Sequence, residues 1–193
     1  MIKNLKNIKK DLKSSLDKDR YQHTLGVSYT AMCLAMKYEV DLEKAEVAGL
    51  LHDCAKCISD EKKLKKCLEH NINISEIEKE QPYLLHAKLG AFIAMEKYGI
   101  HDRDIINAIL KHTTGSCDMT MLEKIIYVAD YIEPNRKKAK NLPVIRKMAF
   151  EDIDLALYTI MKDTVEYLKV KNTKIDNTTL KAYEYYKKII AER

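Results

Sequence analysis

The spacing of apolar and polar residues predicts α-helices along almost the whole chain. Apolar side chains recur every three or four residues, and no segment sustains the alternation of a half-buried β-strand. We predict helices over residues 2–16, 41–51, 59–70, 82–98, 102–112, 152–170 and 179–191, with two more beginning at Asp17 or Asp19 and at Thr120. The long second helix carries large apolar residues at this spacing: Tyr21, Leu25, Tyr29, Met32 and Met36.

Capping and breaking residues place the helix boundaries. Pro82 suits a first helical turn, Gly99 ends a helix, and Thr120 with Glu123 has the spacing of a capping box. Polar residues 71–81 and the basic residues 135–142 read as connectors. We therefore predict a single all-α domain over residues 1–193, a helical bundle with its core at about 18–136 and helical additions at 1–16 and 150–193.

Glycine and proline are scarce, with five glycines and three prolines among 193 residues. Average usage of the pair is about 12%, and the many turns of all-β folds need them, so the composition also argues against a β-fold. Gly26, Gly49, Gly90, Gly99 and Gly115 are too far apart for a dinucleotide fingerprint or a P-loop. A protein of this composition that handles phosphates does so without a glycine-rich loop.

The net charge of +5 is a mild bias toward anionic partners. The 12 tyrosines are scattered, without the arrangement of a base-stacking surface, and no apolar run approaches the length of a membrane span. The basic N-terminus is not followed by the apolar stretch of a signal peptide. We expect a cytoplasmic protein with neither a membrane nor a nucleic acid as its partner.

Five cysteines are an odd number, so we expect reduced thiols. Cys54 and Cys57 form a C-x-x-C motif, which suits half a zinc site or a redox pair. No second pair follows at zinc spacing, and no strand precedes the motif. We favour ordinary packing and surface thiols, and the role of the pair stays open.

The most distinctive local feature is a His-Asp pair at the end of an apolar helix. His52 and Asp53 follow Gly49-Leu50-Leu51, and Lys56 comes three residues later. Adjacent helical side chains point about 100° apart, so both can reach one metal ion only at a helix end or at the edge of a face. A second pair, His101-Asp102, follows Gly99, where we interpret Asp102 as an N-cap and His101 as a loop residue.

Four further residues bear imidazole or carboxylate groups on or beside apolar helical surfaces: His23, His86, His112 and Asp130. A single histidine in such a position is more often a buried structural residue than a ligand. Asp130 is costly to bury among apolar neighbours unless it is paired, and Arg20 or Lys56 are alternative partners. Taken together, the set suggests a metal site built from several helices.

The order of these residues resembles the HD-domain metal-dependent phosphohydrolases, and the two additional histidines resemble the two-metal branch of that superfamily. The flanking motifs are similar to those of the bacterial symmetrical bis(5'-nucleosyl)-tetraphosphatases, over about residues 20–136. These motifs are Arg20-Tyr21-x-His23-Thr24-Leu25-Gly26-Val27, His52-Asp53-x-Ala55-Lys56, His86-Ala87-x-x-Gly90, Lys111-His112-Thr113-Thr114-Gly115 and Ala129-Asp130-Tyr131-Ile132-Glu133-Pro134-x-Arg136. The resemblance implies an all-α bundle, in agreement with the periodicity.

The resemblance also implies a ligand set. One metal ion would be held by His23, His52, Asp53 and Asp130, and a second by His86 and His112 with Asp53 bridging. Imidazole and carboxylate ligands without thiolate suit iron, manganese or zinc, and the resemblance points to iron, as two divalent or mixed-valence ions.

The hypothesis that follows is a hydrolase in which Asp53 and Lys56 are catalytic. A hydroxide activated by two metal ions attacks an inner phosphorus of a dinucleoside tetraphosphate, so that diadenosine tetraphosphate and water give two ADP. The substrate phosphates would contact Arg20, Lys56, Thr113, Thr114 and Arg136. The two threonines can instead cap a helix end, and we interpret the lysines near Arg136 as a solvated loop.

Two alternatives stay open at the level of the sequence. Another HD phosphohydrolase would use the same metal site on a nucleoside monophosphate, a deoxynucleotide, a cyclic dinucleotide or an alarmone. A non-catalytic regulator would instead use the basic first helix or the connector to bind RNA or a protein. The native metal, the base preference and the oligomeric state, a homodimer included, are also open.

Four of the five glycines lie within about one helical turn of a candidate ligand. A helical side chain leans over the preceding turn, so we expect bulk at Gly26 or Gly90 to crowd His23 or His86. The alternative is that these glycines allow close packing of helices.

Overall fold

The computed structural model describes residues 5–193, which form eleven α-helices, one 3₁₀ turn and no β-strand. The all-α prediction is confirmed, and residues 2–4 of the first predicted helix lie outside the described residues. The helices are α1 Leu5–Ser15, α2 Lys18–Lys37, α3 Leu42–Leu51, α4 Asp60–Glu69, α5 Glu76–Glu80, α6 His86–Glu96, α7 Arg103–Lys111, α8 Met121–Ile132, α9 Leu142–Glu151, α10 Ile153–Val170 and α11 Asn177–Ala191.

Most helices begin where the capping residues predicted. The side chains of Asp17, Asp41 and Asp152 accept hydrogen bonds from backbone N–H groups in the first turns of α2, α3 and α10. Asp102 does the same for α7, which confirms its interpretation as an N-cap. Thr120 and Glu123 form the predicted capping box of α8.

Two helices and one change of helix type were not predicted. The short α5 lies in the supposed connector 71–81 and has its own capping box, and α9 follows the basic connector with proline in its first turn. Pro82–Leu85 form a 3₁₀ turn, and the α-helix proper begins at His86. Short helices of this kind are stabilised by packing, which periodicity within a few residues does not reveal.

The buried face of α2 is not the one that its large apolar residues mark. Tyr29 and Met36 are 56% and 63% exposed. The buried residues are mostly small: His23, Thr24, Gly26, Val27, Ser28, Ala31, Leu34 and Ala35. Small residues are needed here because α2 and α3 lie so close that a Cβ atom on Gly49 would be 2.7 Å from Cα of Ser28.

Five helices surround the centre of the molecule. α2 packs against α3 and α8, and α7 packs against α3, α6 and α8. A main apolar core spans these elements, and a smaller cluster contains Ala55, Cys67, Leu85 and Leu89. None of the helices described in residues 5–193 has the length and apolar character needed to cross a bilayer.

The outer helices pack on this centre at both ends of the chain. α1 contacts α2 and α3, while α10 contacts α8, α9 and α11. The division into a core at about 18–136 and additions at 1–16 and 150–193 stays a prediction.

Candidate active site

The six candidate metal ligands lie together although they come from five different parts of the chain. His23 and Asp130 lie within α2 and α8, and His86 is the first residue of α6. His52 and His112 immediately follow the last residues of α3 and α7. Helix ends therefore supply most of the set, which lets adjacent residues such as His52 and Asp53 face the same point.

The carboxylate of Asp53 lies at the centre of this cluster. Its Oδ1 atom is 3.3 Å from Nε2 of His86 and 3.5 Å from Nε2 of His112. Its Oδ2 atom is 3.5 Å from Nε2 of His52 and 3.9 Å from Nε2 of His23. Each oxygen thus faces a different pair of imidazoles, which is the geometry of a bridging carboxylate.

Asp130 completes the group around His23 and His52. Its Oδ1 atom is 3.0 Å from Nε2 of His23 and 3.9 Å from Nε2 of His52. The cation that contacts it is Arg136, whose Nη2 donates to Oδ1 and to the backbone carbonyl of Asp130, both at 2.8 Å. Its cationic partner is therefore Arg136, rather than the Arg20 or Lys56 considered from the sequence.

All four imidazoles have Nδ1 hydrogen-bonded away from the cluster and Nε2 facing it. Nδ1 of His52, His86 and His112 lies 2.6–2.7 Å from the backbone carbonyl three residues earlier. Nδ1 of His23 instead lies 3.1 Å from Oε1 of Glu133. Partners of this kind orient the rings of metal-binding histidines and select the tautomer with a free Nε2.

Unpaired polar atoms show that this donor set fits a metal ion. Buried side-chain atoms without a hydrogen-bond partner in residues 5–193 include Nε2 of His23, Nε2 of His52 and Oδ1 of Asp53. Leaving such atoms unpaired costs about 1–3 kcal/mol each. All three are electron-pair donors, and two overlapping groups have spacing that suits an ion: His23, His52 and Asp130, and His52, Asp53 and His112.

The surroundings favour the protonation states that metal ligands need. Burial opposes ionisation of Asp53, but the close imidazoles of His52 and His112 and the charge of Lys56 hold its pKa well below the usual range. Burial also opposes ionisation of Asp130, whose pKa is lowered by His23, His52 and Arg136. Burial, with Lys56 and His112 nearby, lowers the pKa of His86, which is therefore a neutral imidazole.

The other two predicted substrate-binding cations, like Arg136, contact the cluster directly. Nη1 of Arg20 donates to Oδ2 of Asp53 at 2.7 Å. Nζ of Lys56 lies 3.0 Å from Nε2 of His86 and 3.7 Å from Oδ1 of Asp53. Since α3 ends at Leu51, the approach of Lys56 results from a series of turns over residues 52–57 rather than from one helical face.

The two predicted threonines differ in position. Oγ1 of Thr113 lies 3.0 Å from Nε2 of both His86 and His112, so its hydroxyl faces the cluster. The hydroxyl of Thr114 donates to the carbonyl of Gly115 at 3.2 Å. Thr114 thus bonds to the chain beyond α7, and its contact with a substrate phosphate stays a prediction.

A cavity of about 890 Å³ lies beside His23. Ligand pockets commonly have about 300–1,000 Å³, so it is large enough for a nucleotide. Arg20 and Arg136 line it, and Lys137 and Lys138 add two exposed cations from the connector. Its other lining residues are Asp17, Asp19, Gln22, His23, Glu133 and Asn135.

The C-x-x-C pair is not part of the cluster. Burial raises the pKa of the Cys54 thiol to about 12, and its Sγ donates to the carbonyl of Gly90 at 3.5 Å. Cys57 is exposed, and its Sγ contacts Asp17. Both are free thiols, as are Cys33, Cys67 and Cys117.

Glu133 is the site residue that the sequence pattern did not single out. It directly follows α8 and is 1% exposed. A Cβ atom on Gly26 would collide with Oε2 of Glu133 rather than crowd His23, while a Cβ atom on Gly90 would make ordinary contacts with Cys54 and the backbone of His52. The expectation that these glycines leave room for imidazoles was therefore wrong. An ionisable residue between Ile132 and Pro134 at a helix end was the available signal.

Comparison with known proteins agrees with this arrangement. The family model of the HD domain matches residues 20–135, more than half of the chain. The chain belongs to the HD-domain family. The matched span contains all six clustered residues, and it begins at Arg20.

Curated relatives place this HD-domain protein more narrowly. It is 38% identical to the symmetrical bis(5'-nucleosyl)-tetraphosphatase of Bacillus subtilis over 90% of this chain and 92% of that protein. It is 40% identical to the protein of the same name from Halalkalibacterium halodurans, over 89% and 91%. Its branch of the HD-domain family is therefore that of these symmetrical tetraphosphatases.

A solved structure has the same fold. A crystal structure from Clostridium acetobutylicum, described as a predicted HD superfamily hydrolase involved in NAD metabolism, is 40% identical and superposes with a TM-score of 0.91. The likeness covers 96% of both chains. The two chains therefore share their fold over nearly their full length.

Proposed function

We propose that this protein is a metal-dependent hydrolase that cleaves dinucleoside tetraphosphates symmetrically, so that diadenosine tetraphosphate and water give two ADP. The observation that carries the proposal is the bridging position of Asp53 between two pairs of imidazoles. Relatives that share this chain's length, and are named for that reaction, support it.

The proposed metal sites follow from which atoms face each other. One ion would be held by His23, His52 and Asp130 with Oδ2 of Asp53, and the second by His86 and His112 with Oδ1 of Asp53. A bound pair of ions lowers the pKa of water to near 7 and neutralises phosphoryl oxygens. Imidazole and carboxylate donors without thiolate suit iron, manganese or zinc, and among these we propose iron, on the family resemblance.

The side chains of the site would position the substrate so that its central bridge faces Asp53. Water attacks one inner phosphorus, the bond to the central bridging oxygen breaks, and that oxygen leaves on the second nucleoside diphosphate, which takes up one proton of the water. Four phosphates of one substrate need cations along their length, and Arg20, Lys56 and Arg136 lie within reach of the cluster. Thr113 adds a hydroxyl donor beside His86.

The cations of the site would also stabilise the negative charge of the diphosphate products. Charge that develops on the leaving diphosphate is stabilised by preorganised donors, which cost no reorganisation at the moment of reaction. Arg20 and Arg136 line the cavity and suit this role. The free thiols and the nucleotide substrate suit a reducing compartment, and we include a cytoplasmic location in the proposal.

The test is the metal content and the product pattern of anaerobically purified protein. Elemental analysis should give about two ions per chain, with iron predominating. Chromatography of the products from diadenosine tetraphosphate should give ADP alone. ATP with AMP would show asymmetric cleavage and overturn the proposal.

A matched pair of variants separates the site from general damage. Asp53→Asn should lose both metal and turnover, while Asp163→Asn, at a buried carboxylate that contacts Asn141 and Lys140, should retain both. Turnover of other nucleotides in place of diadenosine tetraphosphate would instead support another HD phosphohydrolase. Binding without metal or turnover, weakening steeply with salt, would support a regulatory protein.

A further inference from the structure

We propose that Glu133 is a positioning residue that holds the ring proton of His23 on Nδ1, so that Nε2 remains free to bind a metal ion, and that Gly26 provides the space for its carboxylate. The inference rests on the proposed function only in that His23 is a metal ligand.

The carboxylate of Glu133 is held at both oxygen atoms. Oε1 lies 3.1 Å from Nδ1 of His23, and Oε2 accepts from the backbone N–H of Asn135 at 2.7 Å. The residue is 1% exposed, so neither bond competes with bulk water. Both oxygens are therefore engaged, and the carboxylate has one orientation.

His23 needs this partner because its other nitrogen also faces a carboxylate. Nε2 of His23 lies 3.0 Å from Oδ1 of Asp130, close to the distance that separates Nδ1 from Glu133. A neutral imidazole has one N–H group, and a nitrogen that carries it cannot bind a metal. Without Glu133 the proton would be drawn to Nε2, toward Asp130.

Nε2 of each of the other three histidines also faces a carboxylate, that of Asp53, but their Nδ1 protons have acceptors in the same chain segment. Their Nδ1 atoms face backbone carbonyls, which accept hydrogen bonds but never donate them. Those carbonyls are in the same chain segment, three residues earlier. Among these four histidines, only His23, in the second turn of α2, depends on a side chain from a distant segment, 110 residues further along the chain.

The turn that carries Glu133 is itself fixed by an arginine on α9. Nε of Arg146 donates to the carbonyl of Ile132 at 2.8 Å, and Nη2 donates to the carbonyls of Glu133 and Arg136 at 2.8 and 3.0 Å. These bonds satisfy carbonyls at the end of α8 and place Glu133 against α2. Through Arg146, α9 therefore helps to fix the position of Glu133 beside His23.

Gly26 is the complementary feature on α2. It lies three residues after His23, and any Cβ atom at this position would collide with Oε2 of Glu133. Glycine within a helix costs up to about 1 kcal/mol relative to alanine, so its presence requires a reason. The carboxylate of Glu133 is that reason.

The first test reads the tautomer of His23 in metal-free protein by ring ¹⁵N NMR over a pH series, at the pH where the spectrum shows a ring with a single N–H group. The native protein should carry the proton on Nδ1. Glu133→Ala should move it to Nε2, and Glu133→Gln, which keeps an acceptor oxygen, should retain it on Nδ1. A proton on Nδ1 in all three proteins would overturn the proposal.

The second test measures metal affinity by competition with a chelator. Removing such a partner from a histidine ligand commonly costs about 10–100-fold in affinity, which we expect for Glu133→Ala, with a smaller loss for Glu133→Gln. Glu78→Gln is the control, since Glu78 is also buried but contacts Ser75 and Lys88. An unchanged affinity in Glu133→Ala, or an equal loss in Glu78→Gln, would overturn the proposal.

A double-mutant cycle tests the role of Gly26. Gly26→Ala should displace the carboxylate and weaken metal binding about as much as Glu133→Ala does. The double variant should be no weaker than Glu133→Ala alone, because truncation leaves room for the added methyl group. If the double variant instead lost metal affinity by the product of the two single losses, Gly26 would act independently of Glu133 and this part of the proposal would be overturned. These readouts need no substrate, so they can fail while the proposed hydrolysis holds, or the reverse.

Discussion

The ammonium group of Lys56 lies 3.0 Å from Nε2 of His86, on the side of the cluster where Oδ1 of Asp53 also points. A cation beside a metal-binding imidazole would be unfavourable if it only faced positive charge. Oδ1 of Asp53, 3.7 Å away, supplies one negative charge for Lys56, and a substrate phosphate would supply another. Burial lowers the pKa of Lys56 and Asp53 opposes this, so the two residues are electrostatically linked.

We therefore expect Lys56→Met to reduce kcat for diadenosine tetraphosphate about 10²–10³-fold, the cost of one lost electrostatic contact in a transition state. Metal content should stay near the native value, because ammonium groups do not ligate metals. Steady-state kinetics with elemental analysis of the same preparation provides the measurement. Lys62→Met, at an exposed position on α4, is the control. Loss of metal from Lys56→Met would show that its role is different.

The two oxygen atoms of Asp53 face different pairs of imidazoles, so a variant that lacks one imidazole should keep one of the two metal ions. His86→Ala removes a ligand facing Oδ1 and leaves the His23, His52 and Asp130 group complete. Elemental analysis should then give about one ion per chain in place of two, with little turnover. His101→Ala, at an exposed loop histidine, should keep both ions. Retention of two ions in His86→Ala would contradict the two-site arrangement.

We expect Arg136 to bind the substrate through the planar shape of its guanidinium group as well as through its charge. It contacts Asp130 through Nη2 and lines the cavity, where the planar group can also bind phosphate oxygens in pairs. Arg136→Lys keeps the charge but loses this geometry. We expect kcat/KM to fall about 10–150-fold, which corresponds to the loss of a charged hydrogen bond of about 1.5–3 kcal/mol.

The adjacent connector supplies the comparison for this variant. Lys138 is exposed and lines the same cavity, but a solvated lysine contributes little. Lys138→Gln should change kcat/KM by about twofold or less. If Lys138→Gln were as damaging as Arg136→Lys, the interpretation of the lysines as a solvated loop would be wrong.

The glycines give a prediction about stability. A Cβ atom on Gly49 would lie 2.7 Å from Cα of Ser28, so Gly49→Ala must push α2 and α3 apart. We expect a loss of about 1–3 kcal/mol in the free energy of unfolding, as for other overpacked sites. Because α2 carries His23 and α3 is followed by His52, metal affinity should fall as well.

Gly90→Ala is the matched variant, since its Cβ atom would be no closer than 3.5 Å to Sγ of Cys54. It should be neutral or stabilise the protein by up to about 1 kcal/mol, through the better helix propensity of alanine. Urea denaturation of both metal-free variants provides the comparison. Equal effects on stability would contradict the distinction between the two glycines.

Local features of the sequence determined the helices and most of their ends. Periodicity at three and four residues needs only the geometry of one helix, and caps such as Asp17, Asp102 and Thr120 act on their own first turn. Such local features do not predict structure that depends on packing between helices. They missed the short helices α5 and α9, and they missed the buried face of α2, whose small residues fit against α3.

The chemistry of the site divides in the same way. The four histidines and two aspartates of the cluster are recognisable from residue type, apolar surroundings and family resemblance, because these properties can be read from the sequence. Which oxygen of Asp53 faces which imidazole, and that Arg136 rather than Arg20 contacts Asp130, depend on how five helices meet. Glu133 reaches His23 across 110 residues, and Gly26, on the same helix as His23, leaves the space for its carboxylate. Contacts between distant segments have no local pattern, so only the tertiary structure decides them.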